Sequence, residues 1–329
     1  MSEMKFPVGI QQFEKIRQGG YVYIDKTKYI YDLVDRGCYY FLSRPRRFGK
    51  SLLMSTIEAY LSGRKDLFEG LAIEKLETEW TQYPILHLDL NSQKYDTPEA
   101  LTEVLDETLT KWETVYGSND AEIGLGRRFG GVMQRAYEKT GRQVVVLIDE
   151  YDKPLLQAYG NDDLLNDYRG TLKAFYGNLK SCDKYIKFAL LTGVTKFGKV
   201  SVFSDLNNLM DISMDLRYAP ICGITEGELH DYFDNEIQLL AEAQKMTVED
   251  TYAKLKEDFD GYHFHEDAEG MYNPFSILNT FYSREFGEYW FETGTPTLLV
   301  DVMKQTGHDL PSLYKETSQG GLAAIGNEK

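Results

Sequence analysis

Long apolar runs are missing from this chain: nothing in it approaches the roughly 18 uninterrupted apolar residues of a membrane-spanning helix, so no bilayer crossing is expected. Cysteine is scarce. The three present, Cys38, Cys182 and Cys222, are odd in number, far apart and each set in an apolar run, which favours buried reduced thiols over a disulfide framework or a metal cluster. Positive charge is also short, with 36 Lys and Arg against 52 Asp and Glu and a net charge of -16. That excludes a surface gripping a nucleic-acid backbone throughout and leaves room only for a local basic patch. The opening MSEMKFPVGIQQFEK has no apolar core ending in a small-residue cleavage site, so the expected compartment is the cytoplasm. No G-x-S-x-G occurs, which removes the nucleophile elbow an α/β serine hydrolase needs, and no internal repeat is visible.

What is present alternates. Apolar strand patterns at Tyr39 to Ser43, Ile85 to Leu90, Val144 to Ile148 and Ile186 to Leu191 are separated by helical patterns at Ser51 to Leu61, Pro98 to Tyr116 and on to Tyr137. Such alternation predicts an α/β fold with a mainly parallel sheet flanked by helices. Arg217 to Cys222 is read as a fifth strand. After Gly223 the pattern becomes helical, with Glu226 to Ala243 and Val248 to Phe259 as helices. The expected units are therefore a core over 1-223, a smaller, mostly helical C-terminal unit over 224-316 and a polar, frayed tail over 317-329.

The chemistry concentrates in FLSRPRRFGKSLL, Phe41 to Leu53, the most basic segment of the chain. Gly49, Lys50 and Ser51 supply the second half of the phosphate-loop pattern G-x-x-x-x-G-K-[ST], but Arg44 stands where its first glycine belongs. The required context of strand, loop and amphipathic helix is there, with Leu52, Leu53, Ile57 and Leu61 read as inward-facing. Lys50 is the candidate for the phosphate oxygens and Ser51 for Mg²⁺. Arg44-Pro45 is expected to leave the strand extended, with the cradle built by backbone from Arg46 through Phe48 to Ser51 and with Arg46 or Arg47 also reaching the phosphates.

A second element makes the loop informative. The β-branched run VVVLI, buried on both faces by its composition, ends in Asp149 and Glu150. Nucleotide hydrolysis needs an acidic partner for the metal, assigned to Asp149, and a carboxylate that polarises water, assigned to Glu150. Thr192, closing the fourth strand, is a candidate sensor of the γ-phosphate and equally a strand-terminal cap. Lys196, Lys199 and Arg217 could each bring charge to the transition state, and nothing in the sequence selects among them. Gly124 to Gly131 (GLGRRFGG) repeats the RRFG of the loop without its Lys-Ser and is read as a mobile loop or helix entry. His263 and His265 beside Glu266 and Asp267 are read as solvated rather than as a zinc site.

The ordered segments FPVGIQQFEKIRQGGYVYIDKTKYI, SRPRRFGKSLL, VVVLIDEYDKPL, LLTGVTKFGKVSVFSDLNNLMDIS, ICGITEGEL, DGYHF, YNPFSILN and YWFETGTPT closely resemble the predicted AAA-type ATPases of bacteria and archaea, AAA-ATPase-like proteins often fused to a C-terminal PD-(D/E)XK nuclease-like domain. The resemblance implies a P-loop ATPase of the class with an extra strand between the phosphate-loop strand and the Asp-Glu strand, in keeping with the strand at Ile85. It implies phosphate binding at Gly49 and Lys50, Mg²⁺ at Ser51 and Asp149, the catalytic carboxylate at Glu150 and a sensor region from Thr192 to Phe197; nucleotide contacts are expected from Pro45 through Leu52. The family's loop also opens R-P-R-R, which makes Arg44 a family variant. Tyr23 and Asp25, upstream of the loop, could border the base or be structural. The chain stops soon after Thr297, too early for a nuclease-like domain, so no nuclease activity is expected.

These readings converge on an ATP- and Mg²⁺-dependent module whose C-terminal unit acts as a lid or passes on the nucleotide state. The partner it acts on, nucleic acid or protein, is not legible, and homo-oligomerisation stays open. Two alternatives remain: a nucleotide-dependent scaffold without turnover, and a small-molecule kinase, which the adjacent Asp-Glu pair disfavours.

Overall fold

A computed structural model describes residues 4-196, 202, 203, 206 and 208-289. Among them, five strands form one sheet: β1 Tyr39–Ser43, β2 Ile85–Asp89, β3 Val144–Asp149, β4 Ile186–Gly193 and β5 Met210–Asp211. Their order across the sheet is β2-β3-β4-β1-β5 and every pairing is parallel. The α/β expectation holds, with one strand corrected. Arg217 to Cys222 is not a strand; Leu216–Ile221 is a short 3-10 turn with Pro220 inside it and Asp215 accepting from the Arg217 amide. Proline has no N–H to give a ladder, and the fifth strand is instead the short β5 upstream of that turn, at Met210–Asp211.

Alternation along the strands builds two cores. Tyr39, Phe41, Val144, Val146 and Ile148 point to one face, beneath the helices Pro98–Tyr116, Leu125–Thr140 and Asp162–Tyr176. Tyr40, Leu42, Val145, Leu147 and Leu190 point to the other, beneath Thr27–Arg36 and Lys50–Leu61. Both sides of the sheet are thereby buried, which is why its strands read as continuous apolar runs. The Gly124 to Gly131 segment is a helix entry: the Leu125–Thr140 helix starts there, and Phe129 stacks on Phe175 with centroids 4.4 Å apart.

A third apolar cluster belongs to the helices Glu226–Gln244, Val248–Phe259 and Pro274–Ser283, whose Leu229, Phe233, Leu255 and Phe281 pack together. Thr225 and Glu228 form a reciprocal capping box at the first of these helices, a device that satisfies two orphan amides. Phe6, Val22 and Ile24 from the start of the chain pack on this cluster. The N-terminal segment therefore joins the C-terminal helices to the sheet, which its position in the sequence did not suggest. No described helix is long and apolar enough to cross a membrane, and no disulfide joins Cys38, Cys182 and Cys222.

Candidate functional site

Register decides what meets at the sheet's carboxyl edge. Leu42 pairs with Thr192 and Ser43 with Gly193, while Ile148 pairs with Leu191, so the next rung brings Asp149 level with Thr192. In sequence β2 falls between β1 and β3; in space β4 does. Thr192 thus sits between the phosphate loop and the Asp-Glu turn. Ligands of open parallel sheets collect at this edge.

The loop leaves β1 at Arg44, whose N–H donates to Gly193 O at 3.1 Å and extends the ladder by one residue. It then turns, with Arg47 at φ 65° and Gly49 at φ 93°, the latter in the region glycine enters without a Cβ penalty. The helix starts at Lys50, one residue earlier than expected. Pro45 is half-buried, Arg46 is exposed, and Phe48 is buried.

Lys50 is itself buried, and its Nζ donates to the carbonyls of Arg44 at 3.1 Å and Pro45 at 3.3 Å. It also lies 3.2 Å from Glu150 Oε1. Ser51 Oγ donates to Asp149 Oδ2 at 2.7 Å, and Thr192 Oγ1 donates to Asp149 Oδ1. Five residues named from sequence, on three different strand ends, are therefore one connected polar cluster. Glu150 adopts φ 55°, a left-handed backbone uncommon outside glycine that marks a tightly determined turn.

The opposite side of the loop is aromatic and links it to the C-terminal helices. Arg44 is only 1% exposed. Its Nη1 donates to Ser43 O at 3.0 Å and Ser213 O at 2.7 Å, and its Nη2 to Tyr218 O at 3.2 Å and Ala219 O at 3.3 Å. Its Cζ lies 3.8 Å from the centre of the Phe264 ring, and burial lowers its pKa to about 10. The residue that replaces the first glycine is a strut, tying the loop to the 3-10 turn and to Phe264. Phe48 meets Tyr262 and Phe264 edge-on with centroids 4.6 and 5.5 Å away, and the Arg47 guanidinium lies 4.9 Å from the Phe275 ring centre.

Next to Gly49 opens a mainly apolar cleft whose lining includes Tyr23, Leu52, Cys222, Ile224 and Leu278. Leu52, read as inward-facing, is half-buried and faces this cleft. Tyr23 borders it, but Asp25 does not: its carboxylate accepts from the Thr27 amide and hydroxyl and from the Ala72 amide. Lys26, also on the cleft, reaches Glu228 at 2.5 Å. Burial lowers the Lys26 pKa and Glu228 opposes that shift.

Of the cationic candidates, Lys196 pairs with Asp211 at 3.1 Å and Arg217 with Asp215 at 2.5 Å, while Lys199 and Phe197 lie outside the described residues. His265 accepts from the Asp267 amide at 3.0 Å, and the described residues contain no group of three or more metal-ligating side chains of the His, Cys, Asp and Glu type.

A parallel α/β sheet with a glycine-lysine-serine loop opening a helix at its carboxyl edge defines a P-loop NTPase-like protein. Comparison with known proteins narrows the class: the model of the predicted AAA-ATPases, the AAA-ATPase-like family, matches residues 7-203, and the chain belongs to that family. A curated relative, "Uncharacterized protein in vnfD 5'region" of Azotobacter chroococcum mcd 1, is 39% identical over 324 residues, covering 98% of this chain and 60% of its own length. No solved structure matches.

Proposed function

We propose that the chain is an ATP-binding and ATP-hydrolysing module that requires Mg²⁺, with residues 1-223 as the nucleotide core, 224-316 as a lid or transmitting unit and 317-329 as a tail, working in the cytoplasm. The observation that carries this reading is the convergence of Ser51 and Thr192 on the two oxygens of Asp149. The backbone from Pro45 through Leu52 cradles the phosphates, the helix start at Lys50 offering free amides. Lys50 exchanges its loop carbonyls for β- and γ-phosphate oxygens.

The Ser51 hydroxyl and the Asp149 carboxylate are hard oxygen donors of the kind Mg²⁺ accepts. The bound metal supplies charge neutralisation on the phosphoryl oxygens. Glu150, released from Lys50, takes the proton of the attacking water, and Thr192 orients toward the γ-phosphate from the neighbouring strand. The base rests in the cleft beside Tyr23, between the loop and the C-terminal helices, and Arg47, Phe48 and Arg44 carry the loop's state to those helices.

Phosphate release from ATP tests this. It should require Mg²⁺, vanish with EDTA and in Lys50→Ala, and fail in Glu150→Gln while that variant still binds ATP. The Lys50–Glu150 pair at 3.2 Å favours a second reading, a nucleotide-dependent scaffold, because it engages the carboxylate that turnover needs. A wild type that binds ATP and releases no phosphate, with or without nucleic acid, would establish the scaffold. Transfer to an added acceptor in preference to water would establish a kinase. Mass measurement with and without ATP reports whether copies associate.

A further inference from the structure

Asp152 follows the candidate catalytic turn and precedes the Lys153–Gln157 helix, with Pro154 just inside it. An aspartate there reads as a helix cap. Its side chain makes no cap bond. It is fully buried and turned instead across the sheet edge: it accepts from the Val194 amide at 3.1 Å, from the Thr195 amide at 2.7 Å and from the Thr195 hydroxyl at 2.9 Å. Gly193 lets it do so, since a Cβ there would lie 2.7 Å from Asp152 Oδ1 and 2.5 Å from the Tyr151 ring.

Glu150 therefore hangs between fixed points. Before it, Asp149 is held by Ser51 and Thr192. After it, the Tyr151 amide donates to Thr192 O at 2.9 Å, and Asp152 closes the loop onto residues 194 and 195. A left-handed non-glycine residue persists only where its surroundings over-determine it, and Asp152 is a buried charged group, two residues after Glu150, that bonds to the segment after β4.

We propose that Asp152 is a positioning residue: by tying the Val194–Thr195 amides to the turn after β3, it sets the Glu150 backbone and so aims the Glu150 carboxylate at the phosphate-loop mouth. This rests on the hydrolytic reading above. It asks for a carboxylate: all three donors fall on Oδ2, and the Val194 amide is shared with Oδ1 at 3.2 Å, where an asparagine would set its own NH₂ against that N–H.

The test measures phosphate release and ATP affinity in Asp152→Asn, Thr195→Val and the double variant. Misaiming a general base by a fraction of an ångström slows chemistry without weakening substrate binding, so kcat of D152N should fall on the order of 10- to 100-fold while KM for ATP moves less than about threefold. T195V removes one of the bonds and should lose roughly two- to fivefold in kcat, and the double variant should be no slower than D152N, because both changes act through one carboxylate. A folded D152N with wild-type kcat, or one that loses KM and kcat together, overturns the proposal. Should D152N not fold, wild-type kcat in T195V overturns it. Absence of turnover in the wild type removes the hydrolytic reading and this role with it, whereas fast turnover in both wild type and D152N removes this role alone.

Discussion

The two sides of the phosphate loop are built from different materials. Toward β3 and β4, Lys50, Ser51, Asp149, Glu150 and Thr192 form a chain of polar contacts. Toward the C-terminal helices, Arg44, Arg47 and Phe48 lie against Phe264, Phe275 and Tyr262. The polar side carries groups suited to phosphate and metal, whose requirements dictate residue types at set spacings. The aromatic side is held by ring packing and by the Arg44 guanidinium on backbone carbonyls, and no motif announces these contacts. One loop therefore faces a site that chemistry prescribes and an interface that packing prescribes.

The comparison breaks first, and most severely, on the polar side. Lys50→Ala and Glu150→Gln should each lower phosphate release on the order of 10²- to 10⁴-fold, with E150Q retaining ATP in an equilibrium binding assay. If the aromatic-side variants below abolished turnover as completely while leaving the fold intact, the division of labour would be wrong.

Next comes the strut. Arg44→Gly would restore the general phosphate-loop pattern, yet it should destabilise the protein by roughly 3–5 kcal/mol, because it strips a buried guanidinium from four carbonyl contacts and leaves a cavity. Urea unfolding measures this; unchanged stability would show that the arginine is a dispensable substitute for glycine.

Asp152 gives a pH signature. Burial first, then repulsion from Glu150, raises its pKa from 3.8 to about 6, against the Thr195 bonds and Lys50; the Tyr151 and Tyr176 phenols also face it. Between those two values the folded state binds more protons at this site than the unfolded chain. Its contribution therefore falls as pH rises through about 4 to 6, by on the order of 3 kcal/mol in all. The difference in unfolding free energy between wild type and D152N, followed from pH 4 to 6.5, should show that slope. A pH-independent difference would remove the buried-charge account.

The smallest effect sharpens the aromatic side. Phe264→Leu keeps an apolar contact but removes the ring face above Arg44, at a cost of about 1 kcal/mol, read as a small drop in Tm with turnover little changed.

Legibility followed the same division. The parallel sheet was readable because strands covered on both faces are continuous apolar runs, and the candidate site because Gly49, Lys50 and Ser51 at one strand end occur together with Asp149 and Glu150 at another, whereas an acidic strand end alone is more often a solvated turn. Arg217 to Cys222 misled because its apolar residues fit a strand while Pro220 forbids the ladder. Asp152 carries no motif that would single it out, and Arg44 has the look of a defect in the motif. Asp25 and Tyr23 could not be separated until the cleft was visible.

By itself, the order of residues determined most of the strands and helices and which side chains are candidates for phosphate-type chemistry, since periodicity and donor chemistry are local properties. Only the tertiary structure decided that β4 lies between β1 and β3, that Thr192 therefore reaches Asp149, and that Arg44 and Asp152 spend their charge inside the protein. Those outcomes depend on strand order and on which atoms share a buried volume, and neither is written into the spacing of residues along the chain.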